Sequence, residues 1–272
     1  MSQMLKKIDE MNYFELLAWL GIGSSHPGGM PYTRQYLPEL ELSSNHYVLD
    51  AGCGTGATTC YLAKQVGCKV LGIDISEEMI AKAQKRAERE GLGELVEFKA
   101  CDVTHLPLPS SEFDLVLAES LTVFLDKPRV YKEFYRVLKP GGRLADVEMA
   151  LVQDLTPEVR EEMEQCFGPR TQPLSFEGWV GVLQKAGFIY IGTLLPQYLR
   201  PGSNQIVQEL RNDWVFIKEL VSKIREPGLM ARLKSNAEFN QRNQAYFGYG
   251  VICGRKPEEF GLFHHLRRVL RG

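Results

Sequence analysis

Along residues 46–151, short apolar runs alternate with longer amphipathic ones. "HYVLDAG" (46–52), "KVLGIDIS" (69–76), "LVEFKACD" (95–102), "FDLVLAES" (113–120) and "RLADVEMAL" (143–151) read as five strands. Most of their residues are apolar, as in strands covered on both faces. "GATTCYLAKQVG", "EEMIAKAQKRAEREG" and "KPRVYKEFYRVLKPGG" (127–142) read as the intervening helices. Ser76 is a good cap for the second, which ends at Gly91, and Pro-Gly-Gly stops the third. Strand–helix alternation of this kind implies right-handed βαβ units in a mostly parallel, doubly wound α/β sheet.

The flanks are less regular. Leu5, Ile8, Met11, Leu16 and Leu20 recur at helical spacing, which predicts an amphipathic helix over 5–20. "GIGSSHPGGMPYT", rich in Gly, Ser and Pro, reads as a loop. A helix at about 175–186 leads into a sixth strand, "GFIYIGTLL" (187–195), and "YFGYGVICGRK" (246–256) is the seventh. Between those two strands the pattern predicts an insertion of two helical stretches, broken at Pro227-Gly228. The first of them puts Val207, Leu210, Trp214, Ile217 and Val221 on one face. The expected organisation is an N-terminal helix and lid-like loop (1–34), a Rossmann-like core (35–195), a helical insertion acting as substrate cap or dimer contact (196–245), and a last strand with a basic tail (246–272).

Composition narrows the partners. A net charge of −2 gives no general pull toward nucleic acid or an anionic membrane. No window approaches the ~20 apolar residues of a membrane span, and "MSQMLKKIDEMNYFELLAWLG" does not read as a signal peptide. The six scattered cysteines have no paired metal spacing, so free thiols, no metal and a cytoplasmic location are expected.

The chemistry concentrates in "VLDAGCGTGATT" (48–59). Gly52, Gly54 and Gly56 follow the first strand and precede a helix, where glycine permits a tight turn and close approach of a ligand. Asp74 ends the second strand, where a carboxylate can accept from both hydroxyls of a ribose. "GCGTGA" also satisfies the dinucleotide fingerprint, so these residues alone leave an NAD enzyme open. Three features favour another reading: Asp102 at the end of the third strand, where an acid can meet an adenine amino group with Ile75 and Val103 about the ring; a G-x-G-x-G spacing led by Asp50; and "YRVLKPGG" before the fifth strand.

In this order, "VLDAGCGTG", "GIDIS", "CDVTHLPLPSSEFDLVLAES" and "FYRVLKPGG" resemble the successive motifs of class I S-adenosylmethionine-dependent methyltransferases, in the small-molecule branch with ubiquinone/menaquinone-biosynthesis-like and sterol-like members. The resemblance spans about residues 45–150 and implies a last strand running antiparallel. It implies S-adenosylmethionine as cofactor, with the Gly52–Gly56 loop at its methionine part, Asp74 on the ribose, Asp102 on the adenine, and Glu119 and Ser120 beside the methionine moiety. Many relatives carry a histidine after the fourth strand; "ESLTVFLD" has Phe124 near that place.

Catalysis in such an enzyme is mainly orientation, with a base where the acceptor must lose a proton. His26, in the loop before the first strand, and Glu119 are the catalytic candidates; Tyr32 and Glu148 are candidates for the acceptor. The expected activity is methyl transfer to a small molecule, with a homodimer among the arrangements considered and no nucleic acid expected. The alternatives are an RNA or protein methyltransferase and a cofactor-binding module without turnover.

Overall fold

The computed structural model describes residues 8–23, 26–199 and 214–258. The expected alternation is present: β1 (Tyr47–Ala51), α3 (Ala57–Val66), β2 (Lys69–Asp74), α4 (Glu77–Glu90), β3 (Val96–Ala100), β4 (Phe113–Glu119), α5 (Lys127–Val137) and β5 (Leu138–Leu151). Before them lie α1 (Tyr13–Leu20) and α2 (Gly29–Tyr36); after them come α6 (Pro157–Phe167), β6 (Leu174–Ser175), α7 (Phe176–Lys185), β7 (Ile189–Tyr198), α8 (Trp214–Lys223), α9 (Leu229–Asn243) and β8 (Phe247–Arg255).

The sheet runs β3-β2-β1-β4-β5-β8-β7, with two-residue β6 against the end of β5. Strands β1 to β5 pair in parallel; β8 is antiparallel to both neighbours and lies between β5 and the edge strand β7. Seven long strands were expected, and β6 is added to them. Successive side chains enter opposite layers, as the strand period demands: Leu49, Leu71 and Val116 join Phe134 and Trp179, while Val48, Val70 and Leu115 join Tyr36 and Leu62. Chain order reverses between β1 and β4, which opens a crevice beyond their carboxyl ends.

Local chemistry fixes several boundaries. The Ser76 side chain accepts from the Met79 amide, and Gly91 ends α4 in the left-handed conformation. α5 stops at Val137, five residues before the expected end at 142; Leu138–Gly142 is extended instead. Lys139 precedes a proline and is steered out of the helical region, and Pro140 has no N–H to continue a helix. The helix expected over 5–20 is divided: a 3-10 turn at Ile8–Glu10, then α1, which starts where Asn12 and Glu15 cap each other's amides. Leu5 lies outside the described residues.

Two helices were not expected. α2 begins inside the segment read as loop, because Pro31 sits in its first turn, where its missing N–H costs nothing, and Met30, Tyr32, Thr33 and Tyr36 are buried. α6 is likewise capped by Thr156 with Pro157 at its start. In the insertion, α8 and α9 are separated at Gly228 as expected. Leu220, Leu229 and Leu233 pack with Leu16 and Leu20 of α1, so α1 and the insertion share one apolar cluster. Val207, Leu210, the side chain of Trp214 and the basic tail from 259 lie outside the described residues; Ile217 and Val221 of the expected apolar face are exposed.

Candidate functional site

The chain leaves β1 through Gly52, Gly54 and Gly56, at φ +76°, +53° and +72°. At Gly56 a Cβ would also lie 2.9 Å from the Phe98 ring, so this turn requires glycine for two separate reasons. The loop is tied to β2: the Gly52 and Cys53 amides donate to the Ile73 carbonyl at 2.8 and 2.9 Å. Asp74 accepts from the Gly54 amide through Oδ2 at 3.0 Å and from the Ser76 amide through Oδ1 at 2.8 Å. The carboxylate is thereby aimed along the crevice, and burial raises its pKa above the ordinary value. Behind the loop, Arg86 Nε donates to the Thr55 carbonyl at 3.0 Å.

A cavity of about 850 Å³ lies over these strand ends. One end is lined by Asp74, Ile75, Asp102 and Val103, and the middle by Gly52, Gly54, Asp50, Thr58, Glu119 and Ser120. Ile75 is 75% exposed, a large apolar side chain left bare on the wall. Asp102 Oδ1 accepts from the Thr104 amide at 2.8 Å, fixing its orientation. The other end is lined by Tyr13, Phe14, Leu121, Phe124, Leu125 and Arg170. α1 roofs the cavity: Lys82 Nζ donates to the Ala18 carbonyl at 2.5 Å and Lys223 Nζ to the Trp19 carbonyl.

Glu119 is the hub of the middle. Its Oε1 accepts from Thr33 Oγ1 at 2.7 Å and Tyr36 OH at 2.6 Å, and its Oε2 from Thr58 Oγ1 at 2.6 Å. His26 Nε2 lies 3.3 Å from Oε1 and 3.0 Å from Thr33 Oγ1, while Nδ1 faces the Pro27 carbonyl at 3.2 Å. With Thr33 donating to Glu119, both ring nitrogens lie beside oxygen atoms, Nε2 beside Glu119 and Thr33 and Nδ1 beside the Pro27 carbonyl. Asp50, below, accepts from Thr59 Oγ1 at 2.5 Å; burial, and then the Glu119 charge, push its pKa up to about 7.

The structure therefore brings Asp50, Gly52, Gly54, Asp74, Ile75, Asp102, Val103, Glu119, Ser120 and His26 to one cavity. Gly56 shapes the turn without lining that cavity. The loop histidine is only 1% exposed and inside the network. Tyr32 lies elsewhere: buried, its ring 4.9 Å from that of Tyr249, with its hydroxyl donating to the Leu195 carbonyl at 2.8 Å, it ties α2 to β7. Glu148 is also away from the cavity. Its Oε1 accepts from the Val123 amide at 3.1 Å and Thr122 Oγ1 at 3.0 Å, and burial and then Asp146 push its pKa up to about 8. Sequence reasoning missed Thr58, Tyr36, Tyr13 and Arg170, none of which stands in a recognisable local pattern. Among the described residues no group of three or more His, Cys, Asp or Glu could hold a metal, and no helix is long and apolar enough to cross a membrane.

A sequence-family profile described as a methyltransferase domain matches residues 48–142. An uncharacterized protein of Haemophilus influenzae is 33% identical over 188 residues, 68% of this chain and 74% of that one. Phosphoethanolamine N-methyltransferase 1 of Triticum aestivum is 34% identical over 234 residues, 82% of this chain but 45% of its own, so the chain spans less than half of that protein. Phosphoethanolamine N-methyltransferase 2 of Haemonchus contortus, solved with S-adenosyl-L-methionine, has the same fold at TM-score 0.69 and 20% identity, over 90% of this chain and 57% of that one. The chain belongs to the class I S-adenosylmethionine-dependent methyltransferases.

Proposed function

We propose that the cavity binds S-adenosylmethionine at its Asp74–Asp102 end and a small methyl acceptor at its Phe124 end, and that the reaction is methyl transfer between them. The observation carrying this reading is the continuity of one cavity, about 850 Å³, from the two strand-end acids to the aromatic wall. That volume is near the upper end of the roughly 300–1,000 Å³ of small-molecule sites, enough for two ligands side by side. The residues suit the cofactor: Asp74 is held to receive ribose hydroxyls, Asp102 to receive an adenine amino group, and bare Ile75 and Val103 to contact the ring. The Gly52–Gly54 backbone, with Glu119 and Ser120, would meet the methionine part. When bound, S-adenosylmethionine supplies an electrophilic methyl on a sulfonium, transferred by in-line displacement to leave S-adenosylhomocysteine.

This chain's own contribution is orientation and field. Glu119, fixed by three hydroxyls and His26, presents a defined negative charge toward a cationic ligand. His26, with both nitrogens engaged, serves to hold Glu119 in place. The small-molecule assignment draws support from the wheat relative, whose name specifies a small amine acceptor. The six free cysteines favour a cytoplasmic setting; for a homodimer, exposed Tyr190 and Tyr198 on edge strand β7 offer apolar surface.

Calorimetry with S-adenosylhomocysteine and NAD tests the cofactor: binding of the first alone is expected. Incubation with methyl-labelled cofactor and cell extract, followed by mass spectrometry, tests the acceptor. Label in a low-molecular-weight product is expected; label only in RNA or protein overturns the small-molecule reading.

A further inference from the structure

Resting on that reading, we propose that the acceptor carries an anionic group on an aromatic or otherwise apolar body, and that Arg170 is the residue that receives the anion. The charged residues lining the cavity are otherwise acids and His26: Glu15, Asp50, Asp74, Glu78, Asp102 and Glu119. Arg170 is the one lysine or arginine among the lining residues, and among the described residues it makes no hydrogen bond or ion pair. The acids beside the glycine loop belong to the cofactor half. Glu15, on the roof, is engaged with the Asn12 amide at 2.9 Å. Glu78 is paired with Lys82 at 2.8 Å, so the cation left without a partner among the described lining residues is Arg170.

Its backbone is fixed, and its side chain is exposed. Arg170 sits on the turn after α6, where the Thr171 amide donates to the Gly168 carbonyl at 3.1 Å and Thr171 Oγ1 to the same carbonyl at 2.8 Å. The next residue, Gln172, donates from its amide to the Val123 carbonyl at 2.9 Å, which ties the turn to the segment carrying Phe124. Around it, the Phe167 ring meets Tyr13 at 5.2 Å and the Phe14 ring meets Phe124 at 4.8 Å. A guanidinium beside an aromatic wall selects an oxyanion on a flat or apolar frame, because its fork matches a carboxylate, sulfonate or phosphate in two-point contact while the rest of the ligand is desolvated by the rings.

Two fluorescent probes with one aromatic skeleton separate the anion from the body: 8-anilinonaphthalene-1-sulfonate, and N-phenyl-1-naphthylamine, which lacks the sulfonate. Both are titrated into the full chain saturated with S-adenosylhomocysteine. Arg170→Met is expected to weaken the sulfonate probe about tenfold and leave the neutral one within about twofold, with Arg170→Lys in between. Phe14→Ser should weaken both. Equal loss of both probes in Arg170→Met, no loss of the sulfonate, or indifference of either to Phe14→Ser overturns the proposal. S-adenosylhomocysteine affinity, measured by calorimetry, is expected to be unchanged in Arg170→Met. Failure of that compound to bind the wild-type chain overturns the methyltransferase reading instead.

Discussion

The two ends of the cavity are made differently. The Asp74–Asp102 end is built from strand ends and the turns that leave them, so each residue is positioned by a sheet register and backbone hydrogen bonds such as those from Gly54 and Ser76 to Asp74. The Phe124 end is assembled from α1, the turn after α6 and the segment after β4, which meet only through side-chain packing and a few cross-links such as Gln172 to Val123. A site with a common ligand rests on the element shared by the fold; a site with a variable ligand rests on pieces that can change without disturbing the sheet. Glu119 lies where the halves join, taking hydroxyls from α2 (Thr33, Tyr36) and from α3 (Thr58).

The largest effect is therefore expected at that joint. Glu119→Ala leaves three hydroxyls and His26 without their acceptor in a buried site, and should destabilise the protein by about 3–5 kcal/mol in urea unfolding. Glu119→Gln, which keeps an acceptor oxygen, should cost markedly less. If the two variants unfold alike, the hub is not what joins the halves.

Next in size is the Asp74–Asp102 end. Asp74→Ala removes a charged acceptor and frees the Gly54 and Ser76 amides, and should weaken S-adenosylhomocysteine by about 2–3 kcal/mol in calorimetry. Unchanged affinity would mean that this end does not hold the ribose.

The same contrast explains what the sequence made legible. Asp50, Gly52, Gly54, Asp74 and Asp102 lie at turns whose chemistry is local: glycine for positive φ, an acid where an apolar run stops. They can be read one segment at a time. Arg170 and Tyr13 owe their place to contacts about 150 residues apart in the chain, which no local pattern records. His26 does stand in the loop, as its sequence suggests, but the turn into α2 buries it against Glu119. Tyr32 is a candidate in the sequence because the segment before β1 is expected to fold over the site, and Glu148 because it lies near the end of β5; α2 and β5 turn them into the packing layers instead. α6 has no counterpart in the sequence reading, although Thr156 followed by Pro157 is a compatible start for a helix.

Smaller is a pH effect that separates the cavity from the layer behind it. Burial raises the folded-state pKa of Asp50 to about 7, Asp146 to about 6 and Glu148 to about 8. The folded chain keeps protons that the unfolded chain releases near pH 4, so these groups lend stability at mild acid that is lost as pH rises through about 8. The apo protein should therefore melt at progressively lower temperature from pH 5 to 8. Glu148→Gln should reduce the loss between pH 6 and 8 by roughly 2 kcal/mol, because of these three groups only Asp50 and Asp146 then titrate. A slope unaltered by the substitution would assign the effect to other groups.

The smallest effect tests where the acceptor end stops. Tyr32 and Arg170 both lie outside the βαβ core, but only Arg170 lines the cavity. Tyr32 has its ring 5.6 Å from that of Tyr36 and 4.9 Å from that of Tyr249, and its hydroxyl is spent on the Leu195 carbonyl. Burial, then the neighbouring Tyr249, raises the pKa of that hydroxyl beyond any working pH, so it is a neutral donor throughout. Tyr32→Phe keeps the ring packing and loses one hydrogen bond to a partly exposed carbonyl, a cost of about 0.5–1.5 kcal/mol in unfolding free energy. Binding of the two naphthalene probes should not change, because no contact of the hydroxyl faces their site. A substitution that leaves stability intact yet weakens either probe would move Tyr32 into the acceptor wall and extend that end of the cavity beneath α2.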